Sequence, residues 1–404
     1  MQLSYWEYKS WFYNVDFIVI GSGIVGINCA IRLKEKHPQS KVLVLEKGSL
    51  PQGASTKNAG FACFGSVSEI LSDLKHHTEE EVLKLVQKRW NGIQRLRHLL
   101  GDKAIGFELN GSHELFPLEK PGLYEKCLES IPYLNRLMEP IFAKTPFVTN
   151  SNFFGFSNVQ EKYITHQLEG QLDTGKMMRS LIQKCVSMDI PILNGVMVKD
   201  VVEANREAII STTDFEFQSK KVFVATNGFA SKLLKSETVK PARAQVLITE
   251  PIKNLHIKGT FHFDEGYYYF RNIDERILFG GGRNLDFDTE ETMEFGETEI
   301  VQNKLETLLR EMILPNYPVQ IERRWSGIMG VGAQKSPLVK QVSDSVYCGV
   351  RLGGMGVALG SLVGKELADM ADLPASQARV QRLRRSLTQW FHDQGDKVVF
   401  EVKD

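Results

Sequence analysis

The stretch VDFIVIGSGIVG (15–26) constrains this chain most, because a strand-like apolar run breaks into three glycines spaced G-x-G-x-x-G. DFIVI is rich in β-branched and aromatic residues, as a parallel strand buried on both faces requires. Apolar positions from Ile24 to Leu33 then recur with a helical period, and KVLVLEK (41–47) reads as a second buried strand. Strand, glycine turn, helix and strand within about 30 residues make a βαβ unit. In such a unit Gly21 permits the tight turn, Gly23 lets the backbone approach a pyrophosphate, and Gly26 allows close helix–strand packing. Ser22 and Ile24 lie between them, where free N–H groups and the helix dipole favour an anion. Glu46 ends the second strand twenty residues after Gly26, with Lys47 beside it. An acid there is placed to accept from a ribose hydroxyl, which favours FAD or NAD over NADP.

Composition narrows the setting. At 404 residues the chain suits two domains, or one large domain with insertions. Lys+Arg and Asp+Glu both number 49, so no net charge points to nucleic acid or an anionic membrane. The five cysteines lie far apart without a C-x-x-C, which argues against a metal site and fits reduced cytosolic thiols. The first fourteen residues lack a signal-peptide profile. No apolar run approaches the roughly 18–20 residues of a membrane span. A soluble, cytoplasmic protein is expected.

Further along, Thr78 and Glu81 form a capping-box pattern that opens a long helix with Leu83, Val86, Trp90, Ile93 and Leu100 near one stripe. FELNGSHELF (107–116) carries Asn-Gly between short alternating runs and predicts a hairpin. A helix is expected after Gly175, then strands around ILNGVMV (192–198) and KVFVATNG (221–228). QVLITE, GYYYFR and RILFGGG (245–282) read as antiparallel strands, the last two joined at NIDE. The stretch 297–312 predicts a helix with Ile300, Leu305, Leu308 and Leu309 inside. A strand at 345–350, a Gly-rich turn and a helix from about Val357 follow. A last helix would put Val380, Leu383, Leu387 and Trp390 on one side and arginines 379, 382, 384 and 385 on a solvated face. Antiparallel hairpins interrupt the βαβ order, which a single doubly wound domain would not allow. The expected fold is α/β with two domains: a discontinuous Rossmann-like nucleotide-binding domain and a mostly antiparallel domain inserted twice.

Two more glycine-rich stretches refine the cofactor. GASTKNAG (53–60) combines small residues with Ser55, Thr56 and the single cation Lys57, suiting close backbone approach and bonds to phosphate or ribitol oxygens. RLGGMGVALGSLVG (351–364) is a glycine turn opening a helix whose N-terminal donors could stabilise charge on a reduced flavin. With GQLDTGKMMRSL (170–181), VFVATNG (222–228), YFRNIDERILFGGG (269–282) and WSG (325–327), these motifs recur in a set order over about residues 15–370. In that order the chain resembles the D-amino-acid oxidase superfamily of FAD-dependent oxidoreductases, which includes glycine and sarcosine oxidases and γ-glutamylputrescine oxidoreductases.

The resemblance implies FAD, held noncovalently, with residues 1–86, 160–240 and 330–404 as the FAD-binding domain. Residues 87–159 and 241–329 would form the substrate-binding antiparallel domain. It implies cofactor contacts from Gly21, Ser22, Gly23, Ile24, Gly26, Glu46, Lys47, Ser55, Thr56, Lys57, Asn58, Ala59 and Gly60. Others would come from Val198, Ala225, Thr226, Asn227, Gly228, Gly327, Gly353, Gly354, Met355, Gly356 and Val357. The implied reaction is oxidation of a C–N bond of a small amine or amino acid, with hydride passing to flavin N5 and the imine then hydrolysing. The electron acceptor, O2 or a quinone, stays open. Three positions depart from relatives: Met329 replaces the carboxylate-clamping Arg of glycine-oxidase-like members, Ala358 a substrate-binding Lys, and Leu278 an oxygen-activating Lys. Substrate contacts are expected instead from Arg351, Tyr269, Arg271, Met329 and Lys57, with Arg243 a further candidate. Alternation puts Tyr267, Tyr269 and Arg271 on one strand face and Tyr268 and Phe270 on the other. His166 and the pair His76–His77 are expected to be surface or structural histidines. An NAD-dependent dehydrogenase and a noncatalytic flavin-binding protein are the competing readings.

Overall fold

The computed structural model describes residues 3–371 apart from 205 and 235–238, so the expected helix carrying Val380 to Trp390 lies outside the described residues. Two eight-stranded sheets organise the chain. The first has five parallel strands in the spatial order Val346–Val350, Glu216–Val224, Val15–Ile20, Val42–Glu46 and Ile192–Asn194. Val15–Ile20 is buried at every position, Asp16 included, whose carboxylate pairs with Lys220. Its neighbours are Glu216–Val224 and Val42–Glu46, so the Gly21 turn, the end of VFVATNG and Glu46 meet at one sheet edge.

Helix Ile24–Lys36 leaves that edge and packs against helices Thr174–Ser187 and Gly356–Asp369. Close helix contact rests on glycines: a Cβ on Gly364 would lie 2.5 Å from Val25 O, and one on Gly92 would lie 1.9 Å from Ala358 O. Gly92 belongs to helix Glu79–Leu100, whose Thr78–Glu81 capping box forms as expected. Ser361 Oγ donates to Gly92 O at 2.6 Å across the same contact.

The second sheet runs Ile321–Val331, Lys240–Thr249, Arg276–Gly281, Tyr268–Ile273, Thr260–Phe263, Ser112–Glu114, Lys162–His166, Phe147–Ser151, antiparallel except between Thr260–Phe263 and Ser112–Glu114. One face buries Leu247, Phe261, Phe270 and Phe279 against Val301, Leu305 and Leu309. The opposite face carries Val246, His262, Tyr269 and Leu278. The hairpin at NIDE turns through Asp274 and Glu275, both at positive φ.

Some expectations need correcting. Asn110-Gly111 closes no local hairpin. Gly111 reverses the chain at φ +78, but Glu108 bridges Gln171 while Ser112–Glu114 pairs with two distant strands. Long-range pairing outcompetes the local turn signal because it completes a buried sheet. Ile300 is half-exposed and Val301 is buried in its place, since the helix starts at Glu299 and its apolar stripe falls one residue later. The proposed boundary at residues 86/87 falls within helix Glu79–Leu100, and strand Lys162–His166 pairs in the antiparallel sheet. Among the described residues no helix is long and apolar enough to cross a membrane.

The helix contact yields a paired prediction. Gly92→Ala should lower stability by about 1–3 kcal/mol by forcing backbone apart. Gly122→Ala, in a helix with nothing within 4 Å of the added carbon, should be neutral or stabilising by up to about 1 kcal/mol. Thermal unfolding of both variants checks the contrast.

Candidate active site

Between the two sheets runs a cavity of about 360 Å³, lined from end to end by residues of both sheets and of the glycine-rich loops. One end is lined by Glu46, Lys47, Val198 and Lys232, the middle by Gly21, Gly23, Ser55, Asn58–Gly60 and Gly353–Val357. The other end is lined by Cys63, Ser66, Glu69, Glu169, His262 and Tyr269.

The middle is shaped by backbone. Gly21 sits at φ +101, where a Cβ would press on Ala225 O at 2.9 Å. A Cβ on Gly26 would meet Gly21 O at 1.9 Å, so the third glycine holds helix to strand. Nothing lies within 4 Å of the Cβ positions of Gly353, Gly354 and Gly356, which front open space at the N-terminus of helix Gly356–Asp369. Ser55 Oγ accepts from Ile24 N at 2.9 Å, at the N-terminus of the first helix. Glu46 is buried and accepts from Ser22 N at 3.1 Å, Ser22 Oγ at 2.8 Å and Gly48 N at 3.1 Å. Ser22 therefore fixes the carboxylate and does not itself line the cavity.

GASTKNAG is locked in place by three outside donors. Arg271 Nη1 donates to Ala59 O and Gly60 O, both at 3.2 Å, and to Leu172 O at 2.6 Å. Trp325 Nε1 donates to Lys57 O at 3.0 Å, and Thr174 Oγ1 to Asn58 Oδ1 at 2.9 Å. A side chain on Gly60, at φ +75, would collide with Leu172 O at 2.2 Å. At the C-terminal turn, Asn227 Oδ1 accepts from the main-chain N–H groups of Arg351 at 3.0 Å and Leu352 at 3.3 Å. ATNG, WSG and the glycine turn thus converge, as Gly353 N also donates to Gly330 O at 2.9 Å.

The arginines expected at the substrate lie elsewhere. Arg271 is buried and engaged with carbonyls, including Asn272 O from Nε, and burial lowers its guanidinium to about 10. Arg351 Nε donates to Ser336 O and Nη2 to Gln334, which holds the side chain off the cavity wall. Arg243 forms a two-point ion pair with buried Glu290, at 2.8 and 3.1 Å. Gly26, Thr56 and Gly228 are likewise behind the lining: Thr56 Oγ1 bonds Pro51 O, and a Cβ on Gly228 would meet Met329 O at 2.5 Å. Lys57, Met329 and Tyr269 do line the cavity, with Lys57 Nζ 5.2 Å from the Phe295 ring centre. Alternation in GYYYFR is as expected: Tyr268 and Phe270 are in the core, Tyr269 on the cavity. His166 is buried among Phe64, Phe142 and Phe147, and burial lowers its imidazole to about 3.

The polar end went unread in the sequence. Ser66 and Glu69 form a second capping box, a legible S-x-x-E signal at the start of helix Val67–Asp73. His262 breaks the apolar run TFHF and faces away from Phe261 and Phe263, a period-2 signal. Glu169 stands in a loop with no such signature; it accepts from Phe64 N, and from Gly65 N at 2.9 Å. Burial raises Glu169 and Glu114 to about 7, while His262, Ser66 N–H and Arg89 hold Glu69 below the usual carboxylate range despite burial. Burial also lowers His262.

Buried polar atoms test whether a cofactor fits. Thr226 Oγ1 and His262 Nε2 are buried, lack hydrogen-bond partners and belong to cavity-lining residues. Together with the open Gly353–Gly356 cradle, the long cavity fits an extended dinucleotide. Residues 16–370 match the model of the family described as FAD dependent oxidoreductase, DAO. The chain belongs to the DAO family. As members depend on FAD, it is an FAD-dependent oxidoreductase. The chain is 23% identical over 390 residues to "Probable oxidoreductase OrdL" of Haemophilus influenzae, across 88% of this chain and 82% of that one. Its fold is similar to glycine oxidase from Bacillus cereus, with TM-score 0.72, 14% identity and 88% and 94% of the two chains covered. It is also similar to L-proline dehydrogenase from P. horikoshii, with TM-score 0.69, 18% identity and 88% and 93% covered. Among the described residues no cluster of His, Cys, Asp and Glu could hold a metal.

Glu169 makes this DAO protein's stability depend on pH. Its folded pKa lies above the ordinary 4.5, so the native state binds the extra proton. Stability from this group is therefore lost as pH rises from about 4.5 through about 7. Glu169→Gln keeps an acceptor for the two N–H groups but cannot ionise. Its melting temperature relative to wild type should climb between pH 5 and pH 8, measured by thermal unfolding across that range.

Proposed function

We propose that this protein oxidises a C–N bond of a small amine or amino acid, with FAD bound noncovalently along the cavity. The observation that carries the reading is that one continuous cavity joins a glycine-lined track suited to a dinucleotide to a polar end, or chamber, lined by Glu69, Glu169, His262 and Tyr269. In this reading Glu46 would accept from the ribose, and the backbone at Gly23 with the Ser55 hydroxyl, itself held by the Ile24 N–H, would receive the pyrophosphate. Asn58–Gly60 and Gly353–Val357 would hold the flavin, and the N-terminus of helix Gly356–Asp369 would supply N–H groups that stabilise negative charge on its reduced form. When bound, FAD supplies a two-electron acceptor, so that the amine becomes an imine that water hydrolyses. Discontinuous domains at 1–86, 160–240 and 330–404 against 87–159 and 241–329 would assign the track and the acidic wall of the chamber, Glu69 and Glu169, to the first, and His262 and Tyr269 to the second.

The protein's own residues arrange the substrate. Tyr269 presents its ring to the chamber, and its hydroxyl, raised to about 12 by burial, stays protonated near neutral pH. Its ring packs edge-on against Phe61, with centres 5.6 Å apart, which fixes the chamber wall. His262 holds an unpartnered Nε2, and its lowered pKa keeps the imidazole neutral and able to accept a proton from a substrate ammonium. Met329 lines the cavity where relatives carry an arginine, and Ala59, Val246 and Leu278 form an apolar cluster with Tyr269 packed against it.

Mixing the yellow holoprotein anaerobically with a panel of amines and amino acids should bleach the flavin with at least one of them. Readmitted O2 should restore the colour slowly and a soluble quinone quickly, because Leu278 supplies no cation to stabilise reduced oxygen. No bleaching by any panel member contradicts the reading, and rapid O2 turnover contradicts the acceptor preference.

A further inference from the structure

The chamber has the charge of a cation receptor. Among its lining residues there is no arginine, and its acids are Glu69 and Glu169. Behind the wall Lys335 Nζ bonds Asp73, and Arg89 Nη1 donates to Phe64 O at 2.6 Å. Glu69 accepts from Ser66 N at 3.0 Å through Oε2, while Oε1 has no hydrogen-bond partner among the described residues. Gly266, at φ +82, stands over that oxygen, its Cβ position 2.9 Å from Oε1, so the absence of a side chain leaves the carboxylate open. His262 is about nine-tenths buried, with Nδ1 3.4 Å from Ser112 Oγ and Nε2 unpartnered.

From this geometry we infer that the substrate is an alkyl amine without an α-carboxylate, whose ammonium group docks between Glu69 Oε1 and His262 Nε2. An ammonium offers three donors and one positive charge, matching an ionised carboxylate oxygen and a neutral imidazole acceptor. A substrate carboxylate entering the same chamber would meet the Glu69 carboxylate and find no guanidinium on the lining, an unfavourable like-charge contact. Glu169 is held by two main-chain N–H groups and adds polarity rather than a second full charge near neutral pH. Arg89, Lys335 and the Ser66 N–H favour the ionised form of Glu69, so the chamber is ready for a cation before one arrives.

The inference rests on the proposed amine-oxidising reading, and its test separates the two. tert-Butylammonium has no hydrogen on the carbon bearing nitrogen, so it binds without being oxidised; pivalate is the carboxylate of matching shape. Both are titrated at constant ionic strength into the FAD-bound protein at pH 7, with shifts of the flavin absorption bands and of the melting temperature as readouts. The wild type should bind tert-butylammonium about tenfold or more tightly than pivalate. Glu69→Gln retains the helix cap and should weaken tert-butylammonium about tenfold while leaving pivalate unchanged. If that variant loses FAD, His262→Phe serves in its place and should weaken the same ligand. Tighter binding of pivalate, an unchanged ammonium affinity in the variant, or no response to either ion overturns the inference. Anaerobic bleaching by α-amino acids alone would overturn it while leaving C–N oxidation standing. Bleaching by no substrate at all would remove the reading beneath it.

Discussion

A buried guanidinium joins the two halves of this molecule. Arg271 stands in the middle of the antiparallel sheet and donates to carbonyls of Ala59, Gly60 and Leu172, which belong to the other side of the cavity. Desolvating a guanidinium is expensive unless its donors are satisfied, and here main-chain oxygens do so from fixed positions. The consequence is geometric. GASTKNAG can hold only one path, because the same loop is pinned again by Trp325 Nε1 and Thr174 Oγ1. These bonds fix the loop that lines the cavity to the antiparallel sheet.

That arrangement separates tasks along a single space. The parallel sheet ends in glycine turns and a buried Glu46, features suited to phosphate and ribose. The antiparallel sheet ends in Tyr269, His262 and, across from them, Glu69, features suited to a small charged group. Apolar Val246 and Leu278 lie on the same sheet face as Tyr269 and keep part of that wall free of charge. The DAO family membership accounts for the first task; the second is particular to the residues this chain carries.

The track was legible because backbone geometry leaves marks in sequence. Glycine is required where φ is positive or where a Cβ would strike a carbonyl, as at Gly21, Gly26 and Gly60, so spacing alone located the turn and the loop. The chamber was less legible for two reasons. Arginines look alike in sequence whether they face a ligand, a carbonyl or a partner acid, and Arg271, Arg351 and Arg243 proved to be held by protein groups. Glu69 and Glu169 arrive from a short helix and a loop far apart in sequence, so only the tertiary fold brings them together. The Asn110-Gly111 turn failed for a related reason: its flanking strands find better partners at a distance. Localised patterns, such as the Thr78 cap and the NIDE hairpin, were readable because their partners lie within a few residues.

The most direct test of the account is a crystal structure of the FAD-bound protein. The account predicts adenosine beside Glu46, pyrophosphate at Gly23–Ile24 and the isoalloxazine between Gly353–Val357 and the Tyr269 face, with Arg271 still on the loop carbonyls. Isoalloxazine density away from Gly353–Val357 and the Tyr269 face, or the Arg351 guanidinium swung onto the ring, would contradict it.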